Sequence, residues 1–264
     1  MKKLQIVKIG GNVIDNGIAL ENFLNDFSKI EDLKILIHGG GKLATDLAKR
    51  LGVSQAMVNG RRITDEETLK ITTMVYAGGI NKQIVASLQS KTINAIGLSG
   101  ADGNAIQTKR REAVDIDFGF VGDVFDKSVN VDLISTFLEL GITPIFSAIT
   151  HDGNGQLLNT NADTIASALA VALSKRYEVQ LNYCFEKKGV LMNSEDSNSV
   201  IQEITKTKYK QLLQDGIVSK GMIPKLDNAF AAIQNGAQSV VILQATDLLN
   251  KIQKDEHIGT TLIA

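Results

Sequence analysis

The 264-residue sequence predicts an α/β fold built on a mainly parallel sheet. Two observations carry that expectation. Short apolar runs alternate with segments of helical period, the pattern of successive βαβ units. The chain also has 23 glycines against two prolines, Pro144 and Pro224, so its glycines punctuate regular elements and are not part of low-complexity linkers.

Taken in order, residues 4–9 read as a strand ending at Gly10-Gly11. Leu20, Phe23, Leu24, Phe27 and Ile30 then recur at helical spacing. Residues 34–37 form a second strand, followed by His38-Gly39-Gly40-Gly41. Leu43, Leu47 and Leu51 mark the next helix, with Gly52 as its C-terminal cap. Thr64-Asp65-Glu66-Glu67 has capping-box spacing, which predicts a helix start with Thr64 as the cap. Further strands are expected at 95–98, 142–147, 179–185 and 240–243, and helices at 131–140, 162–173 and 226–234. Residues 104–130 break the rhythm and read as a hairpin or loop insertion.

Composition excludes several classes. The chain is 44% apolar and 22% charged, the balance of an ordinary globular protein. Its 28 basic and 29 acidic residues give a net charge of −1, against a nucleic-acid binder with a basic face. Cys184 is the sole cysteine, so an internal disulfide and a cysteine-based zinc cluster are both excluded. His38, His151 and His257 show no metal-ligand spacing, and Ser99 lacks the second glycine of a G-x-S-x-G elbow because residue 101 is alanine. Neither a P-loop nor a G-x-G-x-x-G fingerprint is present. With no apolar run approaching 18 residues, the expectation is a soluble, cytoplasmic protein without a membrane partner.

Candidate functional residues cluster just after strands, where an α/β sheet binds ligands. Gly10-Gly11 and Gly39-Gly40-Gly41 each join a strand to a helix, offering backbone N–H groups to an anion. Lys8 interrupts the first apolar strand, either as an edge-strand lysine reaching water or as a charge beside a bound anion. Lys225 follows Pro224 at a helix start, where a cation opposes the helix dipole unless a phosphate lies between them. Asn159, Asn161 and Asp163 precede and open another helix; simple capping by Asn161 is the plain alternative. Arg61 and Arg62 follow the Asn59-Gly60 turn, and either could present its planar fork to a carboxylate.

Together these segments resemble the amino acid kinase family, most closely its acetylglutamate kinase branch. The resemblance rests on Val7-Lys8-Ile9-Gly10-Gly11, His38-Gly39-Gly40-Gly41-Lys42, Asn59-Gly60-Arg61-Arg62-Ile63-Thr64, Gly97-Leu98-Ser99-Gly100-Ala101-Asp102-Gly103, Leu158-Asn159-Thr160-Asn161-Ala162-Asp163 and Gly221-Met222-Ile223-Pro224-Lys225. It implies a three-layer αβα sandwich, with an acylglutamate lobe over 1–176 and a nucleotide lobe over 177–264. It further implies that Lys8 and Lys225 stabilise the phosphoryl transition state and that Asp163 orients them. Gly40, Gly41, Arg62, Asn159 and Asn161 would hold the acylglutamate. Gly10, Gly11, Gly189, Val190, Leu191, Ile217, Val218 and Ser219 would hold ATP, whose Mg²⁺ is bound mainly by the nucleotide.

The implied reaction is phosphorylation of the γ-carboxylate of N-acetyl-L-glutamate, or another N-acylglutamate, in arginine biosynthesis. Glutamate 5-kinase, aspartokinase, a non-catalytic nucleotide sensor and a dinucleotide-dependent oxidoreductase are the competing readings. Where many relatives have an Asp-Val-x-Gly turn, this chain has Glu186-Lys187-Lys188-Gly189. The chain opens directly on its first strand, without the N-terminal helix of arginine-inhibited hexameric relatives. The corresponding expectation is a homodimer insensitive to arginine.

Overall fold

The structure is a computed structural model describing residues 1–58, 61–218, 222–254 and 257–263. The chain folds as two compact units, Met1–Leu36 with Ala166–Ala264, and Ile37–Ile165.

Strand β1 (Lys3–Ile9) is buried from Leu4 to Ile9. Full burial of Leu4, Ile6, Val7 and Ile9 contributes about 1.5–3 kcal/mol each. A single turn, α1 (Gly11–Ile14), leads into α2 (Gly17–Ser28). Asn16 caps α2 by accepting the Ile18 and Ala19 N–H groups at 3.1 Å, and Leu20, Phe23, Leu24 and Phe27 form its buried face. Beyond it, Lys34 donates to the Ser28 and Ile30 carbonyls at 3.1 and 2.5 Å, a cation at the carbonyl end of a helix. Burial lowers its pKa to about 8. Lys34 lies in β2 (Leu33–His38), which carries the chain into the second unit.

There α3 (Gly41–Arg50) is closed by Gly52 at φ 71°, the left-handed conformation that favours glycine. β3 (Met57–Val58) and β4 (Arg61–Arg62) pair antiparallel; Asn59 and Gly60, read as a turn, lie outside the described residues. The next helix, α4 (Glu66–Thr73), starts one residue later than expected. Its cap is Asp65, which accepts the Thr68 N–H at 2.8 Å, not Thr64. Thr64 is committed elsewhere: its N–H donates to the Phe118 carbonyl and its own carbonyl accepts from Phe120. From α4 the chain passes through a π-helical segment, Met74–Ile80, into α5 (Asn81–Gln89).

β5 (Ala95–Leu98) precedes two short strands, β6 (Lys109–Arg110) and β7 (Val121–Asp123), that pair antiparallel. The insertion at 104–130 is therefore a hairpin. After α6 (Val131–Glu139) come β8 (Thr143–Ser147), β9 (Ile149–His151) and β10 (Leu157–Thr160). β8 runs parallel to β5, while the hairpin joins a four-stranded sheet of order β6-β7-β10-β9. Helix α7 (Ala162–Leu173) returns the chain to the first unit.

The rest of that unit is β11 (Glu178–Phe185), β12 (Glu203–Thr205), α8 (Lys206–Gln214), α9 (Ile223–Gln234), β13 (Ser239–Gln244), α10 (Leu248–Lys254) and β14 (Thr260–Ile263). Its strands take the order β12-β14-β13-β11-β1-β2. β11 runs parallel to β1 and β13, and β12 parallel to β14; β13 and β14 are antiparallel. The predicted class, mainly parallel α/β, is the class observed. Helix α9 packs on β13 and β14, and α10 packs on α2.

Candidate active site

In the first unit, strand register decides which residues meet. Lys8 pairs with Tyr183 and Ile9 with Cys184, and the pairing extends through a 2.9 Å bond from the Gly10 N–H to the Cys184 carbonyl. Side chains alternate along a strand, so Lys8 and Gly10 share a face with Tyr183 and Phe185. Lys8 is only 8% exposed and β1 lies between β11 and β2, which removes the edge-strand reading. Its Nζ lies 4.9 Å from the Phe185 ring centroid. Pro224 occupies the first turn of α9, as expected, and sets Lys225 beside it. The Lys225 Nζ lies 3.5 Å from the same ring. Two lysines 217 positions apart in sequence thus converge on one aromatic residue. The α9 end is anchored by Tyr209 of α8, whose hydroxyl donates to Asp227 at 2.8 Å.

Phe185 and Lys225 also line a cavity of about 270 Å³, together with Gly189, Val190, Leu191, Ile217, Val218 and Met222. Five of the proposed nucleotide residues therefore share one predominantly apolar wall, suited to a base, with lysine at its margin. Gly189 is required sterically, since a Cβ there would come within 2.7 Å of the Thr260 hydroxyl. That hydroxyl in turn accepts the Val190 N–H at 2.8 Å. Ser219 lies outside the described residues. Cys184 is fully buried, and burial pushes its thiol well above the ordinary range despite nearby Lys8, so it is no nucleophile.

In the second unit, Gly40 caps α3 at φ 153°. A Cβ there would lie 2.2 Å from Ile80 Cδ1 and 3.1 Å from the Tyr76 ring. Both neighbours come from the π-helical segment, a feature that often marks functional sites. Arg62 Nη2 donates to the Gly41 carbonyl at 2.8 Å and to Thr45 Oγ1 at 2.9 Å, while Nη1 donates to Gln55. Arg61, by contrast, is exposed. Asn159 Nδ2 donates to Thr64 Oγ1 at 3.1 Å, and Thr64 Oγ1 donates to the Arg62 carbonyl at 3.4 Å. Gly41, Arg62 and Asn159 are thereby joined through one set of hydrogen bonds. Asn161 caps α7, accepting the Asp163 and Thr164 N–H groups at 2.8 and 3.1 Å. Asp163 is 8% exposed in the first turn of that helix.

His38 supports the glycine turn from beneath. It is fully buried, accepts from Asn81 Nδ2 at Nε2 (3.0 Å) and faces the Gly39 carbonyl with Nδ1 (2.9 Å), so its proton sits on Nδ1. Burial holds its pKa down to about 4, and the bond to Gly39 opposes the shift. An imidazole depressed from about 6.5 contributes stability that is complete above pH 6.5 and is lost as pH falls toward 4. The stability gap between the protein and His38→Gln should narrow by about 2 kcal/mol from pH 7 to pH 5. Urea titrations at the two pH values measure it, and parallel losses would refute the assignment.

Sequence reasoning missed Phe185, Tyr76, Gln55, Thr45 and the His38–Asn81 pair. An aromatic residue ending a strand just before an altered glycine turn was the one usable signal, for Phe185.

The fold and the glycine turns define a class, and comparison with known proteins agrees. Residues 3–244 match the Amino acid kinase family, and the chain belongs to that family. An acetylglutamate kinase of Cytophaga hutchinsonii is 55% identical over 265 residues, covering 100% of each chain. Another, of Parabacteroides distasonis, is 51% identical over 248 residues, covering 94% of this chain and 96% of its own. In fold, the chain matches a solved N-acetylglutamate synthase from Neisseria gonorrhoeae, complexed with coenzyme A and N-acetyl-glutamate, at TM-score 0.85 and 20% identity. The match covers 99% of this chain and 59% of that one.

Proposed function

We propose that the protein transfers the γ-phosphoryl group of ATP to the side-chain carboxylate of N-acetyl-L-glutamate, giving an acyl phosphate in arginine biosynthesis. The observation that carries this reading is full-length identity of 55% to a relative named acetylglutamate kinase. It disfavours the sensor, glutamate 5-kinase and oxidoreductase readings.

The chemistry suits the residues present. A glutamate side chain has a pKa of about 4.3, so at neutral pH it is already an ionised nucleophile and needs no general base. The work left to the protein is to bring two anions together and to neutralise charge spreading over the transferring group. Lys8 and Lys225 supply that positive charge, and Asp163 orients them. Arg62 grips a substrate carboxylate, with Gly40, Gly41, Asn159 and Asn161 completing the acylglutamate site. Gly10, Gly11, Gly189, Val190, Leu191, Ile217, Val218 and Ser219 hold the nucleotide. Residues 177–264 thus serve mainly ATP and 1–176 mainly the acylglutamate, with β1 bringing Lys8 to the phosphates. Among the described residues no cluster of three or more His, Cys, Asp or Glu could hold a metal ion. A Mg²⁺ ion brought with the nucleotide would add charge neutralisation at its phosphates.

ADP release, measured with N-acetylglutamate, N-succinylglutamate, glutamate and aspartate in turn, tests the reading. Turnover with an N-acylglutamate and little with free glutamate or aspartate is expected. The reverse preference would overturn it. Arg62→Lys should chiefly raise KM for the acylglutamate, by about ten-fold or more, because a point charge replaces a bidentate fork. KM for ATP should stay near its original value. A larger effect from Arg61→Lys would move the substrate contact to Arg61.

The proposal includes a cytoplasmic homodimer. No helix among the described residues is long and apolar enough to cross a membrane. Light scattering should give about twice 28.5 kDa. A hexamer would contradict this part.

A further inference from the structure

We propose that Phe185 is a positioning residue for phosphoryl transfer, its ring setting the places of the Lys8 and Lys225 ammonium groups; the proposal rests on the kinase reading above. Three features of the first unit lead to it. The ring meets both cations, at 4.9 Å and 3.5 Å from its centroid, within the range in which an aromatic face attracts a cation. The ring is itself fixed. It stacks on Tyr183 at 6.2 Å and 17°, and the Tyr183 hydroxyl lies 2.8 Å from Ser167 Oγ. Finally, the place beside it just past the end of β1 is empty of side chain, because Gly10 stands there. A Cβ at Gly10 would sit 3.1 Å from Phe185 Cδ1, closer than the ring tolerates without moving.

The choice of a ring has a physical reason. A second carboxylate beside these lysines, added to the Asp163 proposed to orient them, would draw them further in through their N–H groups and add a negative charge that repels incoming phosphates. An aromatic face attracts the ammonium through its quadrupole, carries no formal charge, and leaves the N–H groups to engage oxygen acceptors. Phe185 also lines the cavity next to Lys225, so the stacked cation stands at the edge of the space assigned to the nucleotide. The ring therefore acts through the lysines and touches neither reacting atom. Its loss should show in kcat more than in nucleotide binding.

The experiment replaces Phe185 with 4-fluoro-, 3,5-difluoro- and 3,4,5-trifluorophenylalanine, which keep the ring shape while draining charge from its face. With saturating ATP and N-acetylglutamate, kcat should fall stepwise, reaching on the order of a ten-fold loss at the trifluoro ring. KM for ATP should stay within about two-fold. Phe185→Tyr should retain kcat and Phe185→Leu should lose more than the trifluoro variant. A flat fluorine series beside an impaired Phe185→Leu would make the ring mere packing and overturn the proposal.

A second readout needs no turnover. In the full chain labelled with ¹³Cε-lysine, the methylene protons of Lys8 and Lys225 should be shifted upfield by the ring and return to ordinary positions in Phe185→Leu. Ordinary positions in an active enzyme would overturn the proposal and leave the kinase reading standing. Ring-shifted lysines in a protein inactive on every acylglutamate would overturn the kinase reading, and with it the catalytic purpose given to the ring.

Discussion

Lys8→Ala and Lys225→Ala are each expected to lower kcat by about 10²–10³-fold, with far smaller changes in KM for ATP or the acylglutamate. The negative charge these lysines meet is greatest while the phosphoryl group is in flight. Groups preorganised for that moment act on the transition state more than on the bound ground state. Both side chains are held before any ligand arrives. Lys8 is locked in the buried β1 beside Tyr183, and Lys225 follows Pro224 in the first turn of α9 against the Phe185 ring. Steady-state kinetics, with circular dichroism to confirm folding, measure the effect. A folded variant with near-normal kcat would remove that lysine from the mechanism.

Gly40→Ala is expected to lower kcat/KM for the acylglutamate by about 10–100-fold, while leaving nucleotide binding intact. The cost has two parts. At φ 153° an L side chain is strained, by roughly 1–3 kcal/mol. The added methyl also meets Ile80 Cδ1 at 2.2 Å and the Tyr76 ring at 3.1 Å, so the turn must shift away from its neighbours. That shift would carry Gly41 with it, and the Gly41 carbonyl is one of the Arg62 partners. Trimming the obstruction should restore part of the loss. Gly40→Ala combined with Ile80→Val is therefore expected to be more active than Gly40→Ala alone. Equal activity of the two would mean that the collision with Ile80 is not what matters.

The αβ alternation was legible because strands buried on both faces leave mostly apolar runs. In β1 the charged interruption, Lys8, is a buried lysine beside an aromatic ring. The glycine turns could be found because tight junctions restrict composition. Helix boundaries were less readable where tertiary pairing competes: Thr64 has every attribute of a cap but spends its backbone on Phe118 and Phe120, leaving Asp65 to cap α4. The π-helical segment Met74–Ile80 has no composition of its own, so Tyr76 and Ile80 could not be placed over Gly40 in advance. The strands β12 and β14 were missed because three or four residues of pairing leave too little periodicity to detect. At the site, the motifs could name Lys8, Lys225 and Arg62, yet not what holds them. That knowledge came from register and packing, which put Phe185 beside both lysines and Gly41, Thr45 and Gln55 around Arg62.

Trapping the product tests the central claim most directly. The enzyme, ATP, Mg²⁺ and N-acetylglutamate are incubated with hydroxylamine, which converts an acyl phosphate to a stable hydroxamate, and the mixture is read by mass spectrometry. The account predicts the γ-hydroxamate of N-acetylglutamate, formed in step with ADP and lost in Lys8→Ala and Lys225→Ala. ADP released without hydroxamate, or hydroxamate formed from free glutamate in preference to the N-acyl form, would contradict it.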